Sequence, residues 1–175
     1  GTLAGTPTAA GSFNVTITAT DANGQSGSQT YTLNVAAPTL VIAPASGALP
    51  ISYATPFSRV FAASGGVGPY SYVLGGTLPA GLAFNAATGT VSGTPTVAGN
   101  FAFTVTATDT GSTGVGAPFT VQGSYTLAIA APTIAVTPAT LPNATAGTAY
   151  SVTLAGSGAV APYSFSLASG TLPTG

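Results

Sequence analysis

Gly89-Thr90-Val91-Ser92-Gly93-Thr94-Pro95-Thr96-Val97-Ala98-Gly99-Asn100-Phe101-Ala102-Phe103-Thr104-Val105-Thr106-Ala107-Thr108-Asp109 is a Gly/Pro-punctuated corner that runs into a long alternating stretch. Nearly the same text opens the chain: Gly1-Thr2-Leu3-Ala4-Gly5-Thr6-Pro7-Thr8-Ala9-Ala10-Gly11-Ser12-Phe13-Asn14-Val15-Thr16-Ile17-Thr18-Ala19-Thr20-Asp21. The two copies lie 88 residues apart without a gap. Self-similarity at a fixed spacing is the mark of a tandem repeat.

Working outward from these copies gives three units. Residues 1–38 read as the second half of a repeat. Phe13, Val15, Ile17 and Ala19 fall on one face of a strand and Asn14, Thr16, Thr18 and Thr20 on the other. That period of two is a half-buried strand. Asn23-Gly24 follows, a strong short-range hairpin signal, and Tyr31, Leu33 and Val35 mark the returning strand. Ala36-Ala37-Pro38 closes the unit. Residues 39–132 read as one complete repeat. Its runs begin at Leu40 and Ile42, with Pro44 as a stop, and continue through 57–62, Tyr70 to Leu74, Leu82 to Phe84, the long strand ending at Asp109, and Tyr125 to Ile129. A wider loop, 110–122, replaces the short hairpin of the first unit, and Ala130-Ala131-Pro132 closes the second. Residues 133–175 match 39–81 with small gaps and form the first half of a third repeat.

About seven short strands per repeat, turn signals every ~8–12 residues and no helical periodicity predict an all-β fold of tandem immunoglobulin-like β-sandwiches. The prolines are expected at run ends and turns, where the ladder does not need their missing N–H.

Charge is nearly absent. Arg59 is the sole basic residue of the 175, and Asp21 and Asp109 are the sole acidic ones. Nucleic-acid binding needs several Lys/Arg contacts to phosphate and is excluded. No polybasic patch for an anionic membrane exists, and no apolar run reaches the ~20 residues of a spanning helix. Near-zero net charge favours self-association, with neighbouring repeats as the expected partners. There is no Cys, so the fold cannot rest on disulfides.

Gly-Pro-Tyr-Ser-Tyr (68–72), Gly-Thr-Leu-Pro-Ala-Gly-Leu (76–82), Ala-Thr-Gly-Thr-Val-Ser-Gly-Thr-Pro (87–95) and Phe-Thr-Val-Thr-Ala-Thr-Asp (103–109) carry a family resemblance. The chain resembles the immunoglobulin-like repeats of large bacterial surface or secreted proteins, which are themselves similar to dystroglycan-type cadherin-like domains. The resemblance implies tandem extracellular sandwiches used as stalks, spacers or adhesin arrays, with no catalytic residues. The near-total lack of charge departs from typical members.

With no His, Cys, Glu or Lys, almost every general base, covalent nucleophile and soft-metal ligand is missing. Asp21 and Asp109 occupy equivalent places in successive repeats, too far apart for a carboxylate pair. No enzyme is expected and no catalytic residue is assigned. Calcium is the cofactor to weigh, because the resemblance implies junction calcium in cadherin-like domains; the candidates are Asp21 with Asn23, and Asp109. Calcium takes six to eight oxygens, commonly from several carboxylates, so the preferred reading is that each Asp caps the turn after its strand. Arg59 is read as an edge side chain reaching to water, against a buried ion pair or a docking contact. Asn14-Val15-Thr16 and Asn143-Ala144-Thr145 fit the glycosylation sequon. Tyr70, Tyr72, Tyr125, Phe101 and Phe103 are read as core.

Three functions compete. The first is a structural segment of a cell-surface stalk or fibre, supported by the short Ala-Ala-Pro joins. The second is a module that binds carbohydrate or a host protein through loop 110–122. The third is a fibre subunit in which 133–175 of one copy and 1–37 of the next complete one domain by β-augmentation. The phase of the repeats is expected to reflect a stretch of a longer continuous array.

Overall fold

The computed structural model describes residues 1–174; Gly175, the last residue of the third unit, lies outside the described residues. All regular structure is β, and no described helix is long and apolar enough to cross a membrane.

The first unit is a hairpin of β1 (Ala9–Thr20) and β2 (Ser26–Val35), antiparallel in register from Gly11 opposite Val35 to Thr20 opposite Ser26. Its turn is closed by Asp21, whose N–H donates to the carbonyl of Gln25 at 2.8 Å. The outward face carries hydroxyl and amide pairs directly across the strands. Thr16 meets Thr30 at 2.9 Å, Thr18 meets Ser28 at 2.7 Å, and Thr32 donates to Asn14 Oδ1 at 3.0 Å. Such cross-strand pairs stabilise a sheet face that has no charges to solvate it.

The central unit contains β3 (Val41–Ala43), β4 (Gly47–Ser52), β5 (Phe57–Val60), β6 (Ala62–Ser64), β7 (Tyr70–Gly76), β8 (Leu82–Asn85), β9 (Thr90–Gly93), β10 (Gly99–Asp109), β11 (Thr113–Gly114) and β12 (Phe119–Ala130). One sheet runs β4-β12-β10-β7; across the core lie β5-β9-β8 and the pair β3-β6. β10 is the central rail, antiparallel to β12 along its whole length and to β7 from Phe103 to Asp109. Its inward residues Phe103, Val105 and Ala107 share one core with Tyr125, Leu127 and Ile129 of β12, and Ile42, Leu49, Phe61 and Val91 close it. Phe61 is fully buried and stacks obliquely on Tyr125 with centroids 4.6 Å apart, while Phe103 meets Phe61 edge-on at 5.8 Å.

The expected count of seven strands corresponds here to ten segments, because two strands change sheets and the short β11 adds one more. The expected run 57–62 divides at Phe61: residues 57–60 pair with β9, and β6 pairs with β3. Pro44 likewise separates β3 from β4, which pairs in parallel with β12. Pro50 sits inside β4, contrary to the expectation that prolines keep to run ends. β4 is an edge strand bonded on one side, where a missing N–H is tolerated. The loop expected at 110–122 ends at Pro118, since β12 begins at Phe119.

In the third unit, β13 (Ala135–Thr137) and β14 (Ala155–Ser157) form a short antiparallel pair, and the other described residues are irregular.

Candidate functional site

Two features concentrate the specific chemistry of this chain, and both lie at the end of β10. The first is Asp109, the last residue of that strand and fully buried. Its side chain joins two loops. From the loop after β6, Val67 N–H donates to Oδ2 at 3.1 Å and Gly68 N–H to Oδ1 at 3.0 Å. From its own turn, Gly111 and Ser112 N–H donate to Oδ1 at 3.0 and 3.2 Å, and the Ser112 hydroxyl donates to Oδ2 at 2.5 Å. The Ser112 hydroxyl, opposed by burial and aided by the amides of Val67, Gly111 and Ser112, holds the carboxyl well below the ordinary value of 3.8. Close approach is allowed by Gly66, where a Cβ would run into the Asp109 carboxylate. Tyr70 steadies the same loop by accepting the Gly66 N–H at 2.9 Å.

Local turn-capping by Asp109 is legible in sequence; its reach to residues 67 and 68, more than forty positions earlier, is not. A usable signal was present in the Gly-rich turn ahead of Pro69-Tyr70, which needed an acceptor from elsewhere.

Asp21, the equivalent residue, is exposed and accepts the Asn23 and Gln25 N–H groups at Oδ1, at 2.9 and 2.8 Å. Both oxygens of Asp109 already face donors, which a cation would have to displace, and Asp21 with Asn23 supplies one carboxylate to an exposed turn. No group of three His, Cys, Asp or Glu comes together among the described residues.

The second feature is the join between the first two units. Ala9 and Ala10 of β1 pair in parallel with Thr113 and Gly114 of β11. Thr113 N–H donates to the Thr8 carbonyl at 2.8 Å and Val115 N–H to that of Ala10 at 3.0 Å. Gly114 takes φ +91°, and a Cβ there would collide with Ala10 backbone. The loop considered for ligand binding is thus engaged in an interdomain bridge. A hollow of about 240 Å³ beside it is lined by Thr6–Ala10, Val35, Ala36, Pro38, Gly65–Val67 and Ser112. A second hollow, about 570 Å³, is an open trough across the β4-β12-β10-β7 sheet lined mainly by Gly, Ala and Thr. The Tyr125 hydroxyl beneath it donates to the Pro44 carbonyl at 2.8 Å, and burial raises its pKa.

Arg59 is exposed on β5, an edge strand, directly opposite Val91. Phe103 and Tyr125 are core, and Tyr72 accepts the Ala63 N–H at 3.1 Å. Asn14 and Asn143 are exposed.

The fold and its joins define a class: immunoglobulin-like β-sandwich repeats arranged in tandem. The chain belongs to the family described as "Putative Ig domain", whose model matches residues 1–36 and 37–130. Solved structures similar to it include protocadherin gammaB7 EC3-6, at 24% identity and TM-score 0.44, covering 75% of this chain and 36% of that one. Human CDH23 EC21-23 is similar at 22% identity and TM-score 0.43, over 71% of this chain and 46% of that one. A "putative alpha-galactosidase" of Bacteroides fragilis is similar over 47% of this chain and 16% of that one, at 24% identity and TM-score 0.39. The chain spans less than half the length of each of these. No curated protein matches it in sequence.

Proposed function

We propose that this chain is a non-catalytic spacer, a segment of an extracellular tandem array that forms a stalk or fibre at a cell surface. The observation that carries the reading is the bridge between β1 and β11 beside the Ala36-Ala37-Pro38 join. Two backbone hydrogen bonds and a stiff, short linker fix one repeat against the next, and Pro limits slack in the join. Each unit then contacts mainly its neighbours, as in any quasi-one-dimensional array. The residues with the most specific geometry, Asp109 and Gly114, fix loops and joins and leave no polar group aimed at a ligand.

The test has two arms. Several copies of residues 37–130 joined in tandem are expected to image as straight rods whose length grows in proportion to copy number; a random string of beads overturns the spacer role. Antibodies to the central repeat are expected to label intact source cells. Labelling that requires lysis overturns the surface placement.

A further inference from the structure

We propose that β7 of the central repeat pairs with β7 of a second copy of this chain, joining the two β4-β12-β10-β7 sheets edge to edge into one. β7 is the outer strand of its sheet, seven residues long and in unbroken register with β10 on one side. An open strand of that kind offers unpaired N–H and C=O groups to any other strand, and proteins guard such edges with Pro, charge or shortness. The other outer strands of the central repeat are guarded. β4 contains Pro50, β5 carries Arg59, and β3, β6 and β8 are three or four residues long. Between Tyr70 and Gly76 there is neither Pro nor charge, and Val73 is 62% exposed. β7 lies well inside the chain, so its open edge belongs to the repeat itself.

Hydrogen bonding decides which groups of β7 are free. Thr110 N–H donates to the Pro69 carbonyl at 3.0 Å, one rung beyond the pair of Asp109 with Tyr70. Antiparallel ladders alternate between pairs that exchange bonds and pairs that do not. Ser71, Val73 and Gly75 therefore bond to β10, while Tyr72 and Leu74 turn their N–H and C=O groups to the open edge. A two-fold axis at Val73 sets Tyr72 opposite Leu74 of the second copy and Leu74 opposite its Tyr72, so each free group meets its complement. It also sets the two Val73 side chains face to face, in the kind of pair where side chains approach closest. A second copy is the natural occupant because the edge complements itself and no charge repels it. Asp109 is buried, Asp21 lies in the first unit, and Arg59 lies on the other sheet. A single pair of such edges is expected to bury less than the ~1,200 Å² of a stable interface. In an array the edge recurs: Tyr163-Ser164-Phe165-Ser166-Leu167 stands in the place of Tyr70 to Leu74, again without Pro or charge. Linked contacts of this kind add avidity. The inference goes beyond the spacer reading, because pairing side by side and stiffness end to end are separate properties and either can fail alone.

The register gives a direct test. Single Val73→Cys and Ser71→Cys variants of the full chain, which has no cysteine of its own, are oxidised separately at equal concentration. Across the axis the two Val73 Cα atoms lie about 4.5 Å apart, within the ~4.4–6.8 Å that a disulfide spans. The two Ser71 Cα atoms lie about 14 Å apart, because Ser71 falls opposite Gly75. The disulfide-linked dimer of Val73→Cys is expected to form at least tenfold faster than that of Ser71→Cys. Amide exchange at Tyr72 and Leu74 is expected to slow as the wild-type chain is concentrated, while exchange at Ser71 and Val73, already bonded to β10, stays constant. Val73→Lys, at an exposed position, is expected to weaken self-association in sedimentation at least tenfold, with the calorimetric transition of the central repeat within a few degrees of wild type. Equal cross-linking rates, exchange at Tyr72 and Leu74 indifferent to concentration, or self-association unchanged by Val73→Lys each overturns the proposal.

Discussion

Asp109 and Asp21 show how one residue type in equivalent places reaches two outcomes. Asp109 faces four amides and a hydroxyl and is buried, whereas Asp21 caps its own exposed turn. Asp109 differs by its contact with the loop Gly66-Val67-Gly68, whose Val67 and Gly68 amides it accepts. A pH dependence follows. Since the folded carboxyl of Asp109 titrates below its unfolded value of 3.8, the stabilisation it provides is complete above that value and is lost as pH falls below it. Calorimetric melts from pH 7 to pH 2 are expected to show the central transition falling along this acid limb. Asp109→Ala leaves buried donors unanswered and is expected to lower the melting temperature by on the order of 10 °C near neutrality, with a flattened acid limb. Asp21→Ala is expected to leave that transition in place, and so are chelators. A destabilisation by chelator, or an unchanged acid limb in Asp109→Ala, contradicts this account.

Among the elements, β1, β2, β10 and β12 were legible because alternation with a period of two survives whenever one face is buried and the other is not. β4 was hidden because Pro50 reads as a breaker, and only an edge position excuses it. The sheet changes at Pro44 and Phe61 were hidden for a related reason: apolarity along a run does not say which partner each part pairs with. β11 carries no pattern at all, being two residues held by a neighbouring repeat. Its contribution can be measured. Thr113→Pro removes the N–H that donates to Thr8, and is expected to speed hydrogen exchange at Val115 and proteolysis at Ala36–Pro38 while the central repeat unfolds within a few degrees of wild type, as surface changes usually allow. Unchanged exchange at Val115 would show that the bridge does not hold the join.

At the scale of the whole molecule the join at 36–39 is clasped, because the long loop 110–118 of the central repeat reaches back to Ala9 and Ala10. Thr113 and Val115 donate across it to the carbonyls of Thr8 and Ala10, so one repeat is held to the next through backbone on both sides, and such pairing resists bending more than a contact of side chains does. Shortening loop 110–118 to the length of the Asp21–Gln25 turn removes Thr113–Val115, and is expected to let tandem copies of residues 37–130 bend at their joins, seen in images as a wider spread of angles between neighbouring repeats. An unchanged spread would mean that linker length, and not the bridge, governs the rigidity of the array.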